Sequence, residues 1–131
     1  MLCLRTLLQQ MQGADAPSTL RLLYRRELRP LTRVLADTER VLAAALGCYQ
    51  QRTSMVLASD RRCIVVGEYL GQPTITLIPY ATLRSVAWSA DLVDGSLTLS
   101  CAAGAHVITR VCPGMYAERL AWHIEQRRRP G

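Results

Sequence analysis

The chain contains no lysine, no phenylalanine and no asparagine, and all sixteen of its basic residues are arginine. A bias towards GC-rich codons explains this pattern more simply than a functional demand does. It still has a physical consequence, because a guanidinium prefers planar anionic partners that it can bind through two hydrogen bonds. No C-x-x-C pair occurs among the five cysteines, Cys3, Cys48, Cys63, Cys101 and Cys112. The usual ligand spacing of a zinc site is therefore missing, for Cys112 with His106 as elsewhere. An odd cysteine count with four members inside apolar runs points to reduced, structural thiols and a cytoplasmic protein. No apolar run reaches the roughly 18–20 residues needed to cross a bilayer. There is no G-x-S-x-G elbow, no glycine-rich phosphate loop and no cofactor motif, so nothing nominates a catalytic group or a cofactor.

What is present is an apolar chain of 131 residues, enough for one domain with a core and too short for two. Its net charge of +6 allows an anionic partner without specifying one. The opening segment, Leu2 to Gln12, has helical spacing at Leu4, Leu7, Leu8 and Met11 and reads as a helix, not as a signal peptide. After a break at Gly13–Pro17, Ser18 can cap a second helix with the stripe Leu20, Tyr24, Leu28, Leu31 and Leu35. Pro30 kinks or splits that helix. Arg21, Arg25 and Arg29 occupy another face, flanked by Arg26 and Arg33.

From Arg40 to Val111 the sequence divides into seven β-like runs. They are Val41–Tyr49, Thr53–Ala58, Arg62–Glu68, Thr74–Ile78, Leu83–Trp88, Ser96–Cys101 and His106–Val111. The first is alanine-rich and alternates poorly. The sixth alternates cleanly, with Leu97, Leu99 and Cys101 against Ser96, Thr98 and Ser100, and predicts one wet face. Ser59-Asp60-Arg61 and Asp94-Gly95 are hairpin signals. Pro113 suits the first turn of a final helix to Arg127, with Met115, Ala117, Leu120, Ala121 and Ile124 as its buried stripe. Seven antiparallel strands avoid open edges by closing into a barrel or by packing as two sheets, and the helix is placed to plug one end.

The residues Glu39-Arg40-Val41-Leu42, Leu57-Ala58-Ser59-Asp60-Arg61-Arg62 and Ile78-Pro79-Tyr80 followed by Leu83 occur in an order that resembles the short bacterial pleckstrin-homology (PH)-like family. The resemblance runs from about Thr38 to Arg127. It implies a mainly β fold, a seven-stranded antiparallel barrel or sandwich capped by a C-terminal helix. The domain is then residues 37–129, with an N-terminal helical extension over residues 1–36. It also implies a non-catalytic module. Inositide-binding relatives carry a basic cluster on the first two strands, where this chain offers Arg40 and Arg52 around Gln50 and Gln51, so inositide recognition is not expected.

The leading expectation is a cytoplasmic interaction module that binds a protein or a second copy of itself. Its candidate surface is Arg21, Arg25, Arg26, Arg29 and Arg33, with Trp122 as a possible anchor beside the buried stripe of the last helix. The alternatives are a peripheral membrane adaptor using the arginine-rich helix and a small enzyme with an unrecognised site. Nucleic acid is not expected, because the arginine face carries no aromatic to stack on bases, Tyr24 belonging to the apolar stripe.

Overall fold

A computed structural model describes residue 14, residues 31–36 and residues 38–128. The expected helix over Leu2–Gln12, the stripe members Leu20, Tyr24 and Leu28, and Arg21, Arg25, Arg26 and Arg29 lie outside the described residues. Residues 31–34 are helical. Seven strands follow: β1 (Val41–Tyr49), β2 (Arg52–Ser59), β3 (Arg62–Tyr69), β4 (Gln72–Pro79), β5 (Leu83–Ala90), β6 (Gly95–Cys101) and β7 (Gly104–Cys112). A single 3-10 turn, Tyr80–Thr82, joins β4 to β5, and the helix α1 (Met115–Arg128) ends the described chain.

All strand pairs are antiparallel, in the order β4-β3-β2-β1-β7-β6-β5. The sheet is not closed into a barrel: β4 and β5 are its two edges. Of the expected alternatives, a barrel or packed sheets, the closed barrel is not formed; on one side Pro73 and Pro79 leave β4 short of N–H donors for a further neighbour. The sheet is covered by layers instead.

Alternate residues of β1, β2 and β3 feed two separate clusters. Ala43, Ala45, Val56, Ala58, Cys63 and Val65 join Leu97, Leu99, Ile108 and the helix residues Ala117, Leu120, Ala121 and Ile124. Ala44, Met55, Leu57, Ile64 and Val66 form the second cluster with Leu31, Leu35 and Val41. The two sets occupy opposite faces, because successive side chains of a strand point to opposite sides. Poor alternation in the first run thus has a physical origin: both faces of that part of the sheet are buried. In β6 only one face is covered, and Ser96, Thr98 and Ser100 are half-exposed as the clean alternation predicts.

Two local expectations change. Met115 is half-exposed, not part of the buried stripe. It precedes Ala117 by two positions, roughly 200° around an α-helix, and so lies opposite the core. Asp94-Gly95 marks a hairpin, but Gly95 is not in the left-handed region and the loop holds four residues, 91–94. The glycine serves close approach. A Cβ on Gly95 would stand 2.6 Å from Ser89 O and 2.9 Å from Ala117 Cβ, and one on Gly114 would stand 2.7 Å from Asp94 O. The start of α1 is therefore packed backbone to backbone on the β5–β6 loop.

Leu120 is completely buried in the cluster between sheet and helix. Leu120→Asp places an unpaired charge there and should cost about 4 kcal/mol or more, lowering the melting temperature by at least about 15 °C. Met115→Asp, on the far side of the same helix, should shift it by no more than about 3 °C. Thermal unfolding followed by circular dichroism checks both, and equal shifts would contradict the packing.

Candidate functional site

Three features qualify as sites: a buried polar cluster, a small polar pocket and an exposed apolar edge. The cluster is centred on Glu39, which has no exposed surface. Arg62 donates to it from Nη2 to Oε1 at 2.8 Å and from Nε to Oε2 at 3.1 Å. Ala36 N–H donates to Oε1 at 3.2 Å, and the Ser59 hydroxyl donates to Oε2. The same Ser59 oxygen accepts the N–H groups of Arg61 and Arg62, each at 3.1 Å. Arg62 also donates to Val34 O at 2.8 Å, and the Tyr80 hydroxyl donates to Ser59 O at 2.6 Å.

Burial acts to raise the Glu39 carboxyl. Hydrogen bonds from Arg62, Ser59 and Ala36, with the charge of Arg62, outweigh it and hold the group below the ordinary carboxylate value. Burial pushes the Tyr80 phenol well up. Both Glu39 oxygens are engaged twice over, so no lone pair is left to take a substrate's proton. The cluster is a structural pin. It accounts for the three short motifs singled out in the sequence, since Glu39, Ser59 with Arg62, and Tyr80 are its members.

The pocket has a volume of about 90 Å³ and lies beside the β1–β2 turn, lined among others by Tyr49, Arg52, Ser54, Thr74 and Thr76. The Tyr49 hydroxyl is 2.8 Å from Nδ1 of His106, which ties the pocket wall to β7. Gln50 and Gln51 both hold positive φ, 52° and 65°, in a turn that glycine or asparagine would occupy with less strain. The lining is rich in hydroxyls and holds a single guanidinium. It suits a small polar guest and not a polyphosphate.

The third feature follows β5. Of the eight exposed large apolar side chains among the described residues, five lie on β5, on its loop to β6, or on α1 (Trp88, Leu92, Val93, Met115 and Trp122), and the others are Leu70, Leu77 and Val107. Trp88 pairs in register with Leu97 and so shares the face that α1 covers. It stands at the free edge, 47 % exposed. Trp122 is 58 % exposed and meets the His123 ring edge-on, with centroids 4.9 Å apart. It is thus more exposed than a side chain wedged at the helix–sheet contact. The helix packs more extensively on β5 than on any other strand.

Of the surface expected from sequence, Arg33 and Trp122 are described. Arg33 is exposed on the helical residues that pack on the outer cluster, while Trp122 belongs to the helix on the opposite face. The structure does not bring them together. The exposed apolar residues of the β5–β6 loop were missed. Their signal was the consecutive Leu92-Val93 between two aspartates, where a turn ordinarily carries polar residues. His106 and Cys112 do not converge with a third ligand: no group of three or more histidine, cysteine or acidic residues that could hold a metal occurs among the described residues. Burial pushes the Cys63 thiol up to about 12, so it behaves as core. Among the described residues no helix is long and apolar enough to cross a membrane.

A seven-stranded antiparallel sheet followed by one packed C-terminal helix is the layout of a PH-like fold. The model of the bacterial PH domain family matches residues 35–125, and the chain belongs to that family. In structure it is similar to a DUF1696 family protein with a pleckstrin-homology domain from Shewanella loihica PV-4. The TM-score is 0.60 at 14% identity, over 89% of this chain and 99% of that one. Among curated proteins none matches.

Two expectations follow. Glu39 contributes stability that is complete above its ordinary value of 4.5 and is lost as pH falls through its lower folded value. Denaturant titrations between about pH 7 and pH 2 should show that loss in the wild type and not in Glu39→Gln. The variant should also be less stable at pH 7 by about 3 kcal/mol, since it leaves Arg62 without its charge partner. An unchanged acid profile would remove Glu39 from the pin. Soluble inositol phosphates should show no saturable binding at micromolar concentration in calorimetry at physiological salt, because Arg52 alone faces the pocket.

Proposed function

We propose that this chain is a non-catalytic, cytoplasmic interaction module that self-associates through the β5 edge. The observation that carries the reading is the unpaired edge strand β5, which bears the half-exposed Trp88 and runs into the exposed Leu92-Val93 loop. An edge strand presents N–H and C=O groups ready to pair, and proteins usually blunt it with proline, lysine or a covering element. β4 carries two prolines; β5, Leu83-Arg84-Ser85-Val86-Ala87-Trp88-Ser89-Ala90, carries none. Its only charge is Arg84. An antiparallel pair centred on Ala87 would set Arg84 opposite Ala90 of the second copy, with no like charges facing.

The charges around the apolar loop favour a protein over a membrane. Leu92 and Val93 are bracketed by Asp91 and Asp94, which an anionic lipid surface repels. Tryptophan is enriched among the anchor residues of protein interfaces, and Trp88 stands half-exposed at this edge. Membership in a family whose members are generally non-catalytic agrees with this role.

Sedimentation of the full chain over a concentration series tests the proposal. The wild type should show a mass above that of one chain. Ala87→Lys, on the face turned away from α1, should weaken assembly at least about tenfold while leaving the circular dichroism spectrum unchanged. A wild type that stays monomeric at its highest attainable concentration would overturn the reading, as would assembly indifferent to Ala87→Lys.

A further inference from the structure

Two side chains of opposite charge bracket the unpaired strand β5. Arg84 is its second residue, and Asp91 directly follows its last, Ala90. Both are exposed. Among the described residues neither has an ion-pair partner in its own chain. Arg128, the cation next to Arg84, is paired with Glu125 and donates from Nη1 to the backbone oxygen of Arg84 at 3.1 Å. Asp91 is likewise held by its main chain. Its N–H donates to Asp94 O at 2.7 Å, and its carbonyl oxygen lies 3.1 Å from where a Cβ on Gly114 would stand. The two ends of α1 therefore position the two ends of β5 through backbone atoms, and both charged side chains stay available to a neighbour.

Register is the weak point of such an edge. Ser85, Ala87 and Ser89 are small and exposed, and a strand of this kind specifies its pairing poorly. The charges at its ends supply what the side chains between them lack. An antiparallel pair centred on Ala87 sets Arg84 opposite Ala90 of the second copy, with Asp91 of that copy one place further on. A strand spacing of about 4.8 Å and a rise of about 3.3 Å per residue put the Cα atoms of Arg84 and that Asp91 roughly 6 Å apart, within reach of an arginine fork. The two-fold axis repeats the contact at the other end. Sliding the axis towards Ala90 brings the two Asp91 side chains together, and sliding it towards Ser85 brings the two arginines together. Both slips set like charges against each other.

We propose that two symmetric ion pairs, Arg84 of each copy with Asp91 of the other, fix the register of the β5 pair and select a second copy of this chain as the strand that fits the edge. The proposal rests on the β5 reading and adds to it the means of recognition. Each exposed pair contributes little by itself. Its effect lies in the contrast between frames, attraction in one against repulsion in the others. A strand from another protein without an acid and a base at these two positions loses both contacts.

The test uses the full chain and sedimentation over a concentration series. Arg84→Asp alone and Asp91→Arg alone each exchange two attractions for two repulsions, and each should weaken assembly at least about tenfold. Both variants should fold as the wild type does, with melting temperatures within about 3 °C of it, because the chain uses only the backbone atoms of these residues. An equimolar mixture of the two variants should assemble as tightly as the wild type to within about threefold, since every charge in the mixed pair then faces its opposite. A mixture that stays dissociated would overturn the ion pairs. Single variants that assemble like the wild type would overturn them too, and if Ala87→Lys still weakens assembly in that case, the edge pairing stands and only the ion pairs fall. A wild type that remains monomeric overturns both.

Discussion

The Glu39–Arg62 ion pair is the constraint to which the rest of this structure is fastened. Taking a carboxylate and a guanidinium out of water is costly, and removing either alone would leave the other stranded. The cost is offset here by geometry: two parallel hydrogen bonds join the groups, and Ser59 and Ala36 fill the remaining acceptor positions of the carboxylate. Arg62 keeps a quarter of its side chain exposed, which limits its own desolvation. The pair works by specifying where three chain segments meet. The approach to β1, the β2–β3 turn and the link from β4 to β5 converge on it, the last through Tyr80 and the carbonyl of Ser59. A fold of consecutive hairpins has many nearly equivalent ways to stack its sheet. A saturated polar cluster admits only the arrangement in which every member finds its partners.

The same cluster explains why the chain can be assigned to a family without its role being assigned with it. Glu39, the Ser59–Arg62 stretch and Ile78-Pro79-Tyr80 stand far apart in sequence and meet at one point in space. They carry the fold. None of them reaches the polar pocket or the β5 edge, where a ligand or a second chain would be met. A fold signature and a functional surface are physically separate here, so the first gives no information about the second.

The strands were legible in sequence because each is bounded by turn chemistry that acts locally. The first run spans Val41–Tyr49 in the structure as in the sequence reading. Sheet closure was not legible. Whether β4 and β5 pair depends on twist and on the layers that cover the sheet, and neither is a local property. The surface was harder still. A row of arginines is visible in any sequence, whereas Ala87 and Trp88 look like ordinary strand residues until the topology leaves their strand without a neighbour. Trp122 was identified as a candidate anchor; the other exposed apolar residues were not. Leu92 and Val93 fall between strands, where periodicity has nothing to say, and Met115 fits the helical stripe only if the helix phase is set two residues wrong.

The two edges of the sheet show how fold and association can be separated in one small domain. At β4 the prolines spoil the donor row, and its partner strand β3 lies in a region buried on both faces. At β5 the donor row is intact and six of the last seven residues are exposed. The core does not need β5's free side, since the inward face of that strand is already served by Val86 and α1. Substitutions along it can therefore change how the domain associates with little effect on whether it folds. Helix α1 links the two properties. It closes the core with Ala117, Leu120, Ala121 and Ile124, and it presents Trp122 on the other side of the same turns. A rigid helix whose buried stripe fixes its rotation holds an exposed tryptophan in place at little further entropic cost, which is what a standing contact surface requires.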